Sequence, residues 1–332
     1  MQNSEGTLLL KRQEVAALLG IEECIAAVER VFQWQGEGKT PPPGVLGVHT
    51  RDGGFHIKAG WLDLARPYFV AKVNANFPQN AKRYGLPLIQ GLIVLCDGEH
   101  GSPLALMDST EITIQRTGAA TAVAAKYLAR RDAKTALICG CGNQGRISLQ
   151  ALAKTFSLER VFAYDYDDAQ AQRFAHDLSK ELHVKVEVVN DPNEAIGQSD
   201  ICVTCTPSRK FFLRRERVAP GTFIAAVGAD SPDKQELDPA LLGGNKLVVD
   251  ILEQCATIGE LHHALDGGIV TRENVHAELC EVVAGTKAGR ESAEEVIIFD
   301  STGMALQDVV AAAVVYEKAV TLNQGQRMNF SE

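Results

Sequence analysis

The sequence has no apolar run long enough to cross a membrane and no excess of positive charge. Among its 332 residues, 33 are Lys or Arg and 42 are Asp or Glu, which gives a net charge of -9. This balance argues against nucleic acid or an anionic membrane as the main partner. The apolar run at 309–316 is far shorter than a membrane helix, and the polar segment 1–6 does not resemble a signal peptide. We therefore expect neither nucleic-acid nor membrane partners.

The sequence also lacks the patterns by which metal sites and hydrolytic nucleophiles are recognised. It contains no Gly-x-Ser-x-Gly elbow, no His-Glu-x-x-His and no paired Cys/His nucleophile pattern. Eight cysteines are present, but the Cys202-x-x-Cys205 spacing has no second pair of ligands. Cys139, Cys141, Cys202 and Cys205 lie in or beside apolar strands, where they are expected to act as small buried side chains. We expect no metal site and a reducing, cytoplasmic compartment.

A glycine-rich turn after a short apolar strand is the most informative feature that the sequence does contain. The apolar stretch from Thr135 runs into Gly140, Gly142 and Gly145, spaced G-x-G-x-x-G, and a helical pattern follows. Such glycines permit a tight turn, a close approach to a pyrophosphate and close packing of helix on strand. The N-terminus of the helix then offers N–H groups to the phosphates. This order predicts the first βα turn of a dinucleotide-binding fold.

A second predicted strand, 160–165, ends in a carboxylate at the distance expected for the adenosine ribose. Asp165 can accept hydrogen bonds from the ribose hydroxyls and would repel a 2′-phosphate. No arginine follows it directly, since the next residues are Tyr166, Asp167 and Asp168. The sequence therefore predicts NAD(H) rather than NADP(H).

The pattern along the chain predicts an α/β protein with two domains. Strands near Thr135, Arg160, Val184, Ile201, Phe223 and Lys246, with helices between the first four, indicate βαβ units. The earlier part has strand-like segments at 54–59, 68–74 and 88–97, which suggest a separate open sheet. A helix at 111–131, capped by Asp108-Ser-Thr110, would bridge the domains, and a helix at 303–320 would return to the first domain.

Three basic residues in the first domain stand in unusual settings. Lys72 lies inside the apolar strand 69–74, Lys58 lies within 55–60, and Arg116 lies on the capped helix. Their proximity to a segment rich in asparagine favours a site for an anionic group. The alternative is that each charge extends to the solvent at the surface.

Polar side chains also follow predicted strands in the second domain. Asp230 stands just past an apolar strand, where ligands of open α/β sheets bind, although Asp before Ser-Pro is also a common turn cap. Thr206 and Ser301 occupy similar strand-end positions. The adjacent His262 and His263 are expected to be surface histidines.

These residues and motifs resemble the ornithine cyclodeaminase/mu-crystallin family over nearly the whole chain. Within the family, the segment 281–292 together with Asp-Ser-Thr-Gly is most similar to archaeal-type alanine dehydrogenases. The resemblance is carried by the segments 72–80, 105–110, 116–120, 139–145, 203–208, 228–238 and 299–308.

The resemblance implies a homodimer with a Rossmann domain for NAD at 119–303. A substrate and dimerisation domain of α+β type is expected at 1–118 and 304–332. The implied chemistry is that of an amino acid dehydrogenase or imine reductase, in which hydride is exchanged between the nicotinamide and the α-carbon of a small anionic amino acid or its imine. The implied catalytic residues are Lys72 and Asp230, and the implied substrate-binding residues are Lys58, Arg116 and Thr302. The implied cofactor-binding residues are Gly140, Gly142, Asn143, Gln144, Gly145, Asp165, Thr206, Val227, Lys234 and Ser301.

The sequence departs from the family pattern in ways that concern the substrate. Pro43 and Gly44 stand where many members carry a basic residue, Lys58 stands where many have methionine, and Leu88 replaces a threonine often found in the cofactor pocket. The first expectation is alanine, formed from pyruvate and ammonia. The alternatives are an ornithine cyclodeaminase-type ammonia-lyase, a reductase of cyclic ketimines such as pyrroline-2-carboxylate, and a crystallin-like protein that only binds its ligand.

Overall fold

The computed structural model describes residues 6–330 of the chain. Its helices are α1 (Arg12–Leu18), α2 (Ile21–Gly36), α3 (Asn80–Tyr84), α4 (Ser109–Leu128), α5 (Asn143–Thr155), α6 (Asp168–Leu182), α7 (Pro192–Ile196), α8 (Leu252–Ile258), α9 (Glu260–Asp266), α10 (Leu279–Val283) and α11 (Ala305–Thr321). Within 6–330, no helix is both long and apolar enough to cross a bilayer.

The strands alternate with these helices in the second half of the chain and cluster in the first. They are β1 (Thr7–Leu10), β2 (Gly44–His49), β3 (Gly54–Asp63), β4 (Pro67–Asn76), β5 (Ile89–Asp97), β6 (Pro103–Asp108), β7 (Thr135–Cys139), β8 (Arg160–Tyr164), β9 (Lys185–Val188), β10 (Ile201–Thr204), β11 (Arg209–Leu213), β12 (Phe223–Ala226), β13 (Gln235–Leu237), β14 (Lys246–Val249), β15 (Val275–Glu278), β16 (Ile297–Asp300) and β17 (Gln326–Met328).

The chain forms two compact units. Of the described residues, unit 1 comprises 6–31, 38–116 and 304–330, and unit 2 comprises 32–37 and 117–303. The boundary at 116 falls inside α4, so this one helix contributes to both units. The functional labels of the two predicted domains stay predictions.

The sheet of unit 1 has the strand order β17-β1-β6-β5-β4-β3-β2. All of its pairs are antiparallel except β1 with β6. Helix α11 packs on one face of β3 and β4, where Gly60 approaches Leu306. Because side chains alternate along a strand, Lys58 and Lys72, which are register partners, point to this same face.

The opposite face of that sheet is apolar and exposed. Leu46, Ile57, Val73 and Leu92 are successive register partners across β2, β3, β4 and β5, and three of them are exposed large hydrophobics. Trp61 belongs to the same face, since it lies an even number of positions from Ile57 on β3. A contiguous apolar sheet face of this kind marks an interaction surface.

Unit 2 is built on a parallel sheet with the strand order β15-β14-β16-β12-β10-β7-β8-β9. From β7 the chain proceeds outward to β8 and β9, and it then returns to place β10 on the other side of β7. The strand order therefore reverses between β7 and β10, which is where ligands bind in doubly wound sheets. Both faces of the sheet are covered, and its strands accordingly read as short, continuous apolar runs.

These observations confirm the α/β class, the separate open sheet and the βαβ order from Thr135. The sequence prediction missed β2, β6, β11, β13, β15 and β17. The segment of β6 runs directly into the helix cap at Asp108, which hid its strand character, and its pairing with β1 and β5 only becomes apparent in three dimensions. The sequence of β15, Val-His-Ala-Glu, is short and half polar because this strand lies at the sheet edge.

Candidate active site

Two buried cations of unit 1 share one buried carboxylate. Lys72 on β4 is only 2% exposed, and its Nζ lies 2.8 Å from Oδ1 and 2.7 Å from Oδ2 of Asp308 in the first turn of α11. Arg116 on α4 donates from Nε to Oδ1 of Asp308 over 3.2 Å. Lys72 and Arg116 are therefore not surface charges, and the alternative of side chains that extend to solvent is wrong for both.

The electrostatics of this cluster follow from its burial. Burial lowers the pKa of Lys72 to about 7; the carboxylate of Asp308 opposes this shift, and the charges of Arg116 and Lys58 add to it. Burial alone would raise the pKa of Asp308, but Lys72 and Arg116 hold that pKa below its ordinary value. The result is that the ionised carboxylate of Asp308 orients Lys72 and Arg116. Lys72 can gain or lose a proton near neutral pH.

Lys58 completes the group of predicted cations. It is half-buried, it lies directly across from Lys72 in the antiparallel register of β3 and β4, and its charge acts on both Lys72 and Asp308. Like charges at opposed positions destabilise a sheet unless an anion compensates them. The structure thus brings Lys58, Lys72 and Arg116 together around Asp308, as a site for an anionic group requires.

Two residues of this cluster, Asp308 and Gln307, were missed as site residues by sequence reasoning. The Oε1 atom of Gln307 accepts from Nη1 of Arg116 over 3.1 Å, while its Nε2 is buried and has no partner within the described residues. The available signal was a carboxylate and an amide side by side within an otherwise apolar helix. Their partners lie about two hundred positions away, at Arg116 and Lys72, so the sequence could not pair them.

In unit 2 the predicted glycine turn joins β7 to α5. Gly140 has a φ of 105°, and a Cβ on Gly145 would overlap the carbonyl oxygen of Gly140, so neither position tolerates a side chain. Gly142 precedes α5, whose first residues are Asn143 and Gln144, and a Cβ at Gly142 would meet Nε2 of Gln170 at an ordinary contact distance of 3.7 Å. Oε1 of Gln144 is buried without a partner in the described part of the chain.

Asp165 stands at the carboxyl end of β8, next to this turn. Its Oδ2 accepts from the backbone N–H of Cys141 over 2.7 Å, and its Oδ1 accepts from that of Asp167 over 3.0 Å. The carboxylate is therefore fixed beside the glycine turn with lone pairs left over. The tight turn, the free helix N-terminus and this carboxylate fit a dinucleotide with an unmodified ribose.

Thr206, Val227 and Ser301 follow three strands that are neighbours in the sheet: β10, β12 and β16. Two buried acids hold two of these strand ends. Glu236 accepts from the N–H of Thr206 over 2.6 Å, while Asp250 accepts from the hydroxyl of Ser301 over 2.9 Å. Asp250 also accepts from the hydroxyl of Thr302 over 3.3 Å and from the N–H of Gly303 over 2.6 Å.

Asp230 and Lys234 are also brought together. Nζ of Lys234 donates to Oδ1 of Asp230 over 2.6 Å, and about half of the Asp230 side chain is exposed. The carbonyl of Lys234 is in turn bound by Nε2 of His263 over 2.7 Å. His262 and His263 are both partly exposed, and their rings lie 4.2 Å apart.

The predicted role of the cysteines as small buried side chains is confirmed for Cys139, Cys141 and Cys202, while Cys205 is half-buried. Between Gly6 and Phe330, no group of three or more His, Cys, Asp or Glu side chains is arranged to hold a metal ion.

Three buried carboxyl groups of unit 2 have pKa values raised by their burial. Burial raises the pKa of Glu236 to about 7, that of Asp300 to about 7, and that of Glu260 well above its ordinary value. Asp300 accepts from the N–H of Leu261 over 2.9 Å, and Glu260 accepts from the N–H groups of Glu236 and Leu237. Such groups make folding stability depend on pH.

Asp300→Asn is expected to make the protein more stable than wild type above neutral pH. Well below pH 4 Asp300 is protonated in both the folded and the unfolded state. Between about pH 4 and pH 7 the unfolded state is ionised while the folded state stays protonated, so the stability of the wild type falls across this window and levels off above about pH 7. The difference in the free energy of unfolding between Asp300→Asn and wild type should grow from near zero at pH 4 to as much as about 4 kcal/mol at pH 8. Asparagine keeps an oxygen for the Leu261 N–H, and it does not ionise.

Urea unfolding at pH 4, 6 and 8 measures this effect. The matched control is Asp132→Asn, since Asp132 is largely exposed, and it should follow wild type at every pH. Parallel pH curves for Asp300→Asn and wild type would contradict the expectation.

Comparison with known proteins adds to this geometry. The model of the ornithine cyclodeaminase/mu-crystallin family matches residues 5–323. The chain is 41% identical over 324 residues to an alanine dehydrogenase of Archaeoglobus fulgidus, with 98% of each covered. Its fold matches an archaeal alanine dehydrogenase dimer with bound NAD, with a TM-score of 0.92, 40% identity and coverage of 98% of this chain and 99% of that one. It also matches Delta(1)-pyrroline-2-carboxylate reductase of Thermococcus litoralis in complex with NADH and L-proline, with a TM-score of 0.92, 36% identity and coverage of 97% and 100%.

Proposed function

Because the chain belongs to the ornithine cyclodeaminase/mu-crystallin family, we propose that it is an NAD(H)-dependent oxidoreductase acting on a small amino acid or its imine. Hydride would be exchanged with the α-carbon of that substrate. The observation that carries the proposal is the pair of buried cations, Lys72 and Arg116, held by Asp308 in unit 1. Two buried cations that share one carboxylate leave net positive charge, which a bound anionic group would compensate.

We assign the substrate carboxylate to Arg116 and Lys58, with Thr302 as a further contact. Lys72 would donate a hydrogen bond to the carboxylate or polarise the C=N bond, since its pKa of about 7 allows it to give or hold a proton. Asp230 would act as the acid/base that takes up or returns the proton at nitrogen or water, and Lys234 would hold its carboxylate in place.

The proposed cofactor is NAD(H), which supplies the hydride chemistry when bound. Gly140, Gly142, Asn143 and Gly145 would bind the pyrophosphate, and Asp165 would accept from the ribose hydroxyls. A 2′-phosphate would place negative charge against the Asp165 carboxylate, which supports NAD(H) over NADP(H). We further assign contacts with the cofactor to Gln144, Thr206, Val227, Lys234 and Ser301.

Alanine, formed from pyruvate and ammonia, is the substrate we propose first. The alanine dehydrogenase similarity over 98% of the chain supports it. A cyclic ketimine is the second candidate, because the reductase that was solved with NADH and L-proline has the same TM-score of 0.92 as the alanine dehydrogenase dimer.

Absorbance at the NADH band tests these assignments. Purified protein is mixed with NADH and either pyruvate plus ammonia or pyrroline-2-carboxylate, and in a third arm with NAD and ornithine. Oxidation of NADH with pyruvate and ammonia would support the alanine assignment, while oxidation only with the cyclic imine would move the assignment to a ketimine reductase. Release of ammonia from ornithine without net NADH would replace the redox function by a cyclodeaminase. Binding of NADH without turnover in any arm would favour a binding protein.

The proposed assembly is a homodimer formed through the exposed apolar face of the unit 1 sheet. Leu46, Trp61, Val73 and Leu92 lie on this face, and one relative was solved as a dimer. A self-complementary apolar surface favours a two-fold interface. Leu46→Glu should convert the dimer to a monomer in sedimentation experiments, whereas Tyr84→Glu, at another exposed position, serves as the control. An unchanged dimer in Leu46→Glu would place the interface elsewhere.

A further inference from the structure

Glu236 on β13 is a buried carboxylate that bonds two strand ends of the parallel sheet. Its side chain is fully buried. Oε1 accepts from the backbone N–H of Thr206 over 2.6 Å, and Oε2 accepts from that of Gly228 over 3.2 Å. Thr206 follows β10 and Gly228 follows β12, and these strands are parallel neighbours. One carboxylate thus fixes the distance between two segments that leave the same edge of the sheet.

The glycine at position 228 is required by this contact. A Cβ at Gly228 would overlap Oε2 of Glu236 and the carbonyl oxygen of Thr206. The backbone of this segment therefore packs directly on the carboxylate, with no side chain between them. Asp230 lies only two residues further along the chain, so the position of the Gly228 backbone constrains where Asp230 can lie.

The cost of this arrangement argues that it has a use beyond packing. A buried carboxyl is expensive to desolvate, and an apolar side chain would fill β13 at lower cost. In this position the Glu236 carboxylate accepts two hydrogen bonds from backbone N–H groups, and each is stronger than a hydrogen bond between neutral groups. Those N–H groups lie in the two segments to which the proposed function assigns a cofactor contact and the acid/base.

We propose that Glu236 is a positioning residue of the active site. Asp165, which is assigned to the adenosine ribose, follows β8, whereas Thr206 follows β10 on the other side of β7, so Thr206 is assigned to the nicotinamide half of the cofactor. Glu236 holds Thr206 there, and it holds Gly228 so that Asp230 is correctly placed. The inference rests on the proposed function for the roles of Thr206 and Asp230. The carboxylate itself touches neither substrate nor cofactor.

Glu236→Gln tests the assignment because it keeps the size of the side chain and removes one acceptor. The glutamine NH₂ group meets an N–H instead of accepting from it, so one of the two segments is released. A displacement of about 1 Å at a reacting group can lower the rate about 100-fold. We therefore expect kcat to fall about 10- to 100-fold and NADH to bind about tenfold more weakly.

ADP-ribose separates positioning from general damage to the fold. It lacks the nicotinamide, so its dissociation constant for Glu236→Gln should stay within about twofold of wild type. The matched control is Asp97→Asn, in which another buried carboxyl that accepts from backbone N–H groups, those of Glu99 and His100, is replaced in unit 1. Its NADH affinity should stay close to that of wild type.

Two results would overturn the proposal. One is wild-type kcat and NADH affinity in Glu236→Gln, and the other is an equal loss of NADH and ADP-ribose binding. If Glu236→Gln does not fold, Gly228→Ala replaces it, since its Cβ pushes the same segment off the carboxylate and should give the same pattern. Failure of the proposed function is recognised separately, because wild type would then bind NADH without turning over any of the three substrates. The dissociation constants of NADH and ADP-ribose for Glu236→Gln would still test whether Glu236 positions the cofactor contact.

Discussion

Replacing Lys72 with methionine is expected to reduce kcat/KM for the imine or 2-oxo acid substrate by a factor of at least about 1,000. Methionine keeps most of the volume of the lysine stem but provides neither charge nor proton. NADH affinity should stay within about twofold of wild type, because the predicted dinucleotide loop lies in unit 2, apart from Lys72 in the sequence. Stopped-flow oxidation of NADH measures kcat/KM, and a separate fluorescence titration measures the dissociation constant of NADH.

Loss of the fold does not account for such a result. Asp308 would still be paired with Arg116 over 3.2 Å, so the variant does not leave a buried charge alone. Lys82→Met, at an exposed lysine of the same unit, is the control and should be active. Activity of Lys72→Met within tenfold of wild type would remove Lys72 from the mechanism.

The pH dependence of kcat/KM identifies the protonated form that is needed. Since burial lowers the pKa of Lys72 to about 7, the free enzyme carries the cation below this pH and loses it above. The value of kcat/KM in the reductive direction should fall as the pH rises through about 7. Asp308→Asn removes the charge that raises the pKa of Lys72, and it should shift this decline to lower pH. A decline that stays in place would show that another group titrates.

Asp230→Asn is expected to lower kcat by about 100- to 10,000-fold, the range contributed by general acid–base catalysis. Asparagine keeps an oxygen for the ammonium of Lys234, which lies 2.6 Å from Oδ1, but it cannot exchange a proton. KM should change far less than kcat, because Asp230 is assigned to proton transfer and not to binding. Steady-state kinetics in both directions measure the two constants.

Asp233→Asn is the matched control for this variant. Asp233 lies three residues away, is largely exposed, and has its ion-pair partner Arg209 as far as 3.8 Å away. It should retain kcat within about twofold of wild type. A loss of kcat in both variants would indicate disturbance of the loop, and full activity of Asp230→Asn would require another acid/base.

Local features of the sequence were sufficient for the dinucleotide half of the site. A strand, three spaced glycines and a helix are adjacent in the chain, and at Gly140 and Gly145 a side chain would be strained or would overlap the backbone. Asp165 was identified for the same reason, since it follows the next strand and faces the same turn. Lys72 and Arg116 were noticed because a charge within an apolar stretch is locally anomalous.

The partners of these residues were decided only by the tertiary structure. Asp308 pairs with Lys72 across 236 positions and with Arg116 across 192, and no local pattern relates residues so far apart. No local pattern singles out Glu236 or Asp250, yet folding buries them against the segments of Thr206 and Ser301. The sequence by itself therefore determined the fold class, the nucleotide turn and the family, because these depend on residues close together in the chain. The ionisation of Lys72 and the placement of the strand-end segments depend on burial and on distant carboxylates, which exist only once the sheets have formed.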